Sequence, residues 1–175
     1  MPKQTYLLTS LPKQGSPPMP HFTPENFQTC TIGLLLGRAA LVKDRILDHH
    51  LEPFGVTAAQ FKVLIIVAQF DVDTPAELSR YLSLDSGSMT RMLDRLEQKD
   101  LIERSRCPED RRQVRIALTS EGHKLADRLP EIGAQAMNEL VGVLDPSELE
   151  TLTSLLTKVL INAGDSVTAL RVGAK

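Results

Sequence analysis

The stretch LIERSRCPEDRRQVRIALT, residues 101–119, sets two short runs of strand character on either side of a charged turn. Residues 101–106 and 114–118 are these two runs of strand character. Between them Pro108, Glu109, Asp110, Arg111 and Arg112 are turn formers and surface charges, so the two runs read as a hairpin.

Upstream of the hairpin, residues 86–99 place Met89, Met92, Leu93 and Leu96 at the i, i+3, i+4, i+7 spacing of one buried helical face. The opposite face carries Ser88, Arg91, Arg95 and Gln98, and Asp85 or Ser86 caps the start. A tight turn over residues 83–85 separates this helix from a shorter one over 75–82. Thr74-Pro75-Ala76-Glu77 opens that helix as a capping box with proline at its first position. Leu78, Tyr81 and Leu82 point inward from it. Two helices across a tight turn with a hairpin behind make a helix-turn-helix with a wing.

Further out, Thr57 caps a helix to about residue 69 through Phe61, Leu64, Ile65 and Ala68. Before it, a break at Glu52-Pro53-Phe54-Gly55 ends a long helix expected over residues 24–51, with Thr23 as its cap. From Ile32 to Val42 only Gly33, Gly37 and Arg38 interrupt apolar residues. A helix so apolar all round belongs deep in a domain or in an oligomer interface. Gly33 and Gly37, one turn apart, either allow close backbone approach or are simply tolerated. On the other side, Thr119 caps a long helix through Leu125, Leu129, Ile132, Ala136 and Leu140, with Pro130 inside it as a possible kink. Asp145-Pro146-Ser147-Glu148 opens a last helix, with Leu149, Leu152, Leu155, Leu156, Val159 and Leu160, that stops near Gly164. Residues 1–23, with five prolines, read as a flexible tail.

Composition agrees with a soluble chain of 175 residues, 42% hydrophobic and 24% charged. Aromatics are only 4% and tryptophan is absent, so the core must be aliphatic. The formal net charge is −2, so affinity for nucleic acid must come from a local patch. One lies between residues 99 and 115. Lys99, Arg104, Arg106, Arg111, Arg112 and Arg115 there outnumber Asp100, Glu103, Glu109 and Asp110. Two cysteines, Cys30 and Cys107, are too few for a disulfide framework. Pro12 and Lys13 cut short the apolar run at the N-terminus, and no run reaches spanning length. No membrane partner is expected, and the expected location is cytoplasmic.

The run LDSGSMTRMLDRLEQKDLIERSRCPEDRRQVRIALTSEG, residues 84–122, resembles the MarR family of winged helix-turn-helix regulators. Three features carry the likeness: the LxxLExxxLIxR exit from the second helix, the DRR tip at Asp110-Arg111-Arg112, and the LTxxG ending at Leu118, Thr119 and Gly122. The likeness extends over nearly everything after residue 25. It implies a mainly α fold with a small β-wing, one domain over residues 24–175. Dimerisation helices would occupy 24–51 and 120–164, and the winged helix-turn-helix 57–119. It also implies a homodimer on pseudo-palindromic double-stranded DNA.

For the helix starting at Ser86, the major groove is the expected seat. Ser86, Ser88 and Thr90 offer hydrogen bonds to phosphates or base edges, and Arg91 suits a bidentate contact to guanine. Arg95 is expected to reach a phosphate. By the resemblance, Arg112 enters the minor groove, Arg111 shares that contact, and Asp110 shapes the hairpin through a salt bridge. A dimer that covers a promoter represses by default.

The resemblance also implies control by a small phenolic or carboxylate effector. Arg38, the lone cation of the apolar helix, is the candidate to receive it, with Cys30 nearby. The alternatives are a thiol-based oxidant sensor using Cys30, although the spacing to Thr57 sets it about one turn early, and a helical interaction module without DNA binding. His49 and His50 are adjacent and point about 100° apart on a helix, so they do not chelate together. No metal site, cofactor or catalytic residue is expected: neither a nucleophile elbow nor a phosphate-binding glycine loop is present.

Overall fold

The computed structural model describes residues 21–70, 72–106 and 113–171. In chain order the elements are α1 (Pro24–Phe27), α2 (Ile32–Leu51), a 3-10 turn (Glu52–Phe54), α3 (Ala58–Gln69), α4 (Pro75–Leu82) and α5 (Ser86–Gln98). Strands β1 (Ile102–Arg106) and β2 (Val114–Leu118) follow, then α6 (Ser120–Ala126), α7 (Leu129–Val141), α8 (Pro146–Asn162) and α9 (Ser166–Arg171). The fold is mainly α with one two-stranded antiparallel sheet, as expected. Residues 1–20 and the hairpin tip, with Cys107, Asp110, Arg111 and Arg112, lie outside the described residues. Two compact units divide the chain: residues 38–149, and those up to 37 together with those from 150 onward. Among the described residues no single helix is long and apolar enough to cross a membrane.

In the unit of residues 38–149 the core is aliphatic. Val63, Leu64, Leu78, Met89, Leu93, Leu96, Ile102 and Leu129 are all but fully buried, and Phe61 is the aromatic among the buried side chains. Tyr81 and Leu82 pack on this cluster half-buried, while Ala68 is exposed. The register pairs Ile102 with Leu118, Arg104 with Ile116 and Arg106 with Val114. Strand alternation then puts Ile102, Arg104, Ile116 and Leu118 on one face of the hairpin, and Arg115 on the other.

The base of the hairpin is fastened at three points. Helix α5 ends with Asp100 in the left-handed region (φ 56°). The Asp100 N–H bonds the Glu97 carbonyl at 2.9 Å and the Leu101 N–H bonds the Leu96 carbonyl at 3.0 Å. This is a Schellman ending with aspartate where glycine is usual. Thr119 donates its N–H to the Leu101 carbonyl at 3.3 Å, and its hydroxyl bonds the Asp100 carbonyl. The same hydroxyl caps α6 by accepting from the Gly122 N–H at 3.0 Å.

Two expected helices are broken. The helix expected over 24–51 is interrupted after Phe27 and restarts at Ile32. Asn26 accepts from the Thr23 N–H at 2.7 Å through its side chain, and the Thr29 hydroxyl donates to the Asn26 carbonyl at 2.9 Å. That hydroxyl takes a carbonyl the helix would have used, and the Leu35 N–H bonds Thr31 to begin α2. The helix expected from Thr119 through Leu140 is two helices, because Pro130 has no N–H for the Ala126 carbonyl. Arg128 closes α6 with a short bond to Leu125, and Pro130 sits in the first turn of α7. Beyond Gly164 (φ 77°), α9 was not expected; Asp165 starts it by accepting from the Thr168 N–H at 2.6 Å.

In the other unit, Leu34 and Leu35 of α2 are 65% and 58% exposed, and Leu155 and Val159 of α8 are 57% and 54% exposed. The apolar helix is therefore not deep in a domain of the single chain. An added Cβ at Gly33 or Gly37 meets nothing within 4 Å, so neither glycine makes a close approach within the chain.

Candidate nucleic-acid interface

The helix-turn-helix is built from local bonds. Thr74 accepts from the Glu77 N–H at 3.3 Å and donates to the Glu77 carboxylate at 2.7 Å, which starts α4. Ser83, left-handed at φ 52°, ends it, with the Leu84 N–H on the Ser79 carbonyl at 2.9 Å. Asp85 caps α5 by accepting from the Ser88 N–H at 2.9 Å. The turn between the helices is thus three residues long, as expected.

Helix α5 is sharply two-sided. Met89, Leu93 and Leu96 are at most 1% exposed. Ser86, Thr90, Arg91 and Arg95 are exposed, and Ser88 is half-buried at its start. The structure therefore brings these five residues together on one surface. Two of their hydroxyls, those of Ser88 and Thr90, are already engaged. Thr90 donates to the Ser86 carbonyl at 2.8 Å, and Ser88 donates to the second Asp85 carboxylate oxygen at 2.6 Å. Arg91 donates from Nη2 to the Ser88 hydroxyl at 3.0 Å.

Three cations of the basic stretch are paired with other parts of the fold. Arg104, on the inner hairpin face, pairs with Asp94 at 2.7 Å and lies 3.7 Å from Glu97; it also donates to the Thr90 carbonyl at 3.4 Å. It ties β1 to the flank of α5. Arg115 bonds both oxygens of Asp73, at 2.6 and 2.7 Å, and the Ile116 N–H bonds the Asp73 carbonyl at 2.7 Å. Lys99 donates to the Gly55 carbonyl and to Gln60 Oε1 at 2.9 Å. Gln60 is 4% exposed, the one polar residue among the buried described residues. The sequence reading missed these roles because each partner sits on another helix or loop; the acids at Asp94 and Glu97, one helical turn apart, were the available sign for Arg104.

The other candidate residues are placed as follows. Arg38 is exposed on α2, and Cys30 is a half-buried free thiol between α1 and α2. A cleft of about 610 Å³ opens between His49, His50, Phe54, Arg128, Glu131 and neighbouring side chains. Arg128 lies 4.8 Å from the centre of the Phe54 ring. Arg38 and Cys30 are not among its lining residues. His50 bonds Glu139 at 2.9 Å and His49 lies 3.9 Å from Glu52. Among the described residues no three histidine, cysteine or acidic side chains converge to hold a metal ion.

A helix-turn-helix whose second helix shows a polar outer face, followed by a hairpin bonded to its flank, defines a winged helix-turn-helix protein. The model of the MarR family matches residues 56–114. The multiple antibiotic resistance protein MarR of Escherichia coli is 41% identical over 130 residues, covering 74% of this chain and 90% of that protein. A solved structure of a mutant E. coli MarR complexed with operator DNA is 38% identical, with a TM-score of 0.71, covering 79% of this chain and 99% of that one. BpsR of Bordetella bronchiseptica, whose DNA binding is regulated by 6-hydroxynicotinic acid, is 27% identical, with a TM-score of 0.68, covering 74% and 98%. This chain belongs to the MarR family.

Proposed function

We propose that this protein is a homodimeric transcriptional repressor that binds a pseudo-palindromic operator and is released by a small aromatic or anionic effector. The observation that carries the reading is the two-sided α5, with Ser86, Thr90, Arg91 and Arg95 exposed opposite a fully buried apolar face. Arg91 suits a bidentate contact to guanine, and Arg95 a phosphate. The hairpin tip takes the minor groove, with Arg111 and Arg112 as contacts and Asp110 shaping the turn, as the family likeness implies. An arginine there favours narrow, A·T-rich grooves. Residues 24–51 and 120–164 supply the dimer platform and residues 57–119 the reader. Two such readers imply half-sites about 10 bp apart, one helical turn. Regulation proceeds by binding, without catalysis, and a cytoplasmic location goes with it. The related BpsR supports an aromatic carboxylate as effector class.

The test is fluorescence anisotropy on duplexes enriched from a random library, at about 50 and about 200 mM salt. Six phosphate contacts would weaken binding about a thousandfold over that range. Failure to enrich any duplex at low salt overturns the reading. Additions of salicylate, 6-hydroxynicotinate, peroxide and zinc in separate arms identify the switch; release by peroxide alone would replace the small-molecule effector with a thiol.

A further inference from the structure

We propose that Asp85 and Ser88 form a relay that fixes the guanidinium of Arg91, making Ser88 a positioning residue for base discrimination instead of a DNA contact in its own right. The proposal rests on the DNA-reading role of Arg91 given above and deepens it.

A serine hydroxyl has one proton to donate and two lone pairs to offer. The Ser88 proton goes to Asp85 Oδ2 at 2.6 Å, and a lone pair receives Arg91 Nη2 at 3.0 Å. The carboxylate is itself held, since its other oxygen accepts from the Ser88 N–H at 2.9 Å. One acid thus caps the helix with one oxygen and orients the hydroxyl with the other. The hydroxyl is therefore turned with its lone pairs toward the arginine, a polarity that an ionised carboxylate enforces because it only accepts. The same bonds from Ser88 hold the Asp85 carboxyl below the usual carboxylate range, with a smaller contribution from the charge of Arg91.

Gly87 leaves room for the arrangement. A Cβ there would stand 3.2 Å from Asp85 Oδ1 and 3.5 Å from Arg91 Nη1, at the edge of both groups. Arg91 keeps four of its five N–H groups for other partners, and a guanine needs two. A long, exposed arginine otherwise loses rotamer freedom when it docks, and holding it beforehand reduces that loss. Because the gain is confined to the base that Arg91 reads, it appears as discrimination at one position.

The experiment measures, for wild type and variants, the affinity ratio between the enriched duplex and each of its single-base changes. Arg91→Ala identifies the position, with discrimination there falling roughly 5- to 150-fold. Ser88→Ala is expected to lose about fivefold or more at that same base pair and at no other. Ser88→Thr, which keeps the hydroxyl, restores it. Asp85→Asn has one acceptor oxygen for two tasks and is expected to behave like Ser88→Ala; its thermal midpoint shows whether the cap survives. Equal discrimination by wild type and Ser88→Ala at the Arg91 position overturns the relay, and a uniform loss over all positions does so too, by making Ser88 a phosphate contact. If Arg91→Ala changes no single position while wild type still binds the enriched duplex, the reading role of Arg91 fails, and the relay with it, though DNA binding stands.

Discussion

Gly122 packs its bare backbone against the Leu101 carbonyl: an added Cβ would stand 1.9 Å from that oxygen and 3.3 Å from the Leu118 Cβ. The first contact is with backbone, so no rotamer change relieves it. Gly122→Ala should therefore cost about 1–3 kcal/mol as an overpacked site. That loss lowers the thermal midpoint by several degrees in a chain of this size; an unchanged midpoint in a melting scan would refute the close packing. In the sequence Gly122 was visible only as the end of a family motif, and the crowding that requires it appears once Leu101 is seen beside it. Arg104 and Arg115 show the reverse case. Counted along the chain they are positive charge for DNA, yet Asp94 and Asp73 hold them. Each partner lies outside the hairpin, Asp94 on α5 and Asp73 in the loop before α4, so charge counting along one segment overstated the patch.

Helices α5, α8 and α9 start on acids, and that makes their stability depend on pH. Asp85 is held below the usual carboxylate range by the Ser88 hydroxyl and N–H, Asp145 by the Glu148 N–H and Ser147, and Asp165 by the Thr168 N–H and hydroxyl. A carboxyl whose pKa is lower folded than unfolded contributes stability above its unfolded value, and loses it as pH falls through the folded one. The urea midpoint should be level above about pH 5 and fall below about pH 4. Asp145→Asn, which caps without titrating in this range, should make the fall shallower; an identical profile for wild type and variant counts against the cap. Element starts were readable because Thr57, Thr74, Asp85, Thr119 and Asp145 are local signals. The break after Phe27 was not, since what stops the helix there is a carbonyl taken by the Thr29 hydroxyl; Pro130 was visible as a kink, and its missing donor makes the kink a full break.

For the molecule as a whole, the apolar residues left bare by the single chain are the main unpaid term: Leu34, Leu35, Leu155 and Val159 are each more than half exposed. The sequence left two homes for the apolar helix, and the exposure of its first half favours the second, the proposed dimer platform. Leu155→Glu, a charge in the proposed dimer surface, should shift sedimentation from dimer toward monomer and weaken operator binding by at least about tenfold, since each protomer alone grips one half-site. A variant that sediments as wild type would remove α8 from the dimer surface. The pinned base of the hairpin has a consequence of a different kind. With Thr119 bonded to Leu101 and Arg104 bonded to α5, β1 and the base of β2 are held to the body of the fold. On the proposed minor-groove role of Arg111 and Arg112, residues 107–112 are expected to be exchangeable between these anchors. Exchanging them for the tip of another family member should transplant that protein's flanking-sequence preference, read by duplex enrichment, while the melting curve stays that of the parent. That outcome would mean that operator choice can change by editing one short segment while the core stays as it is.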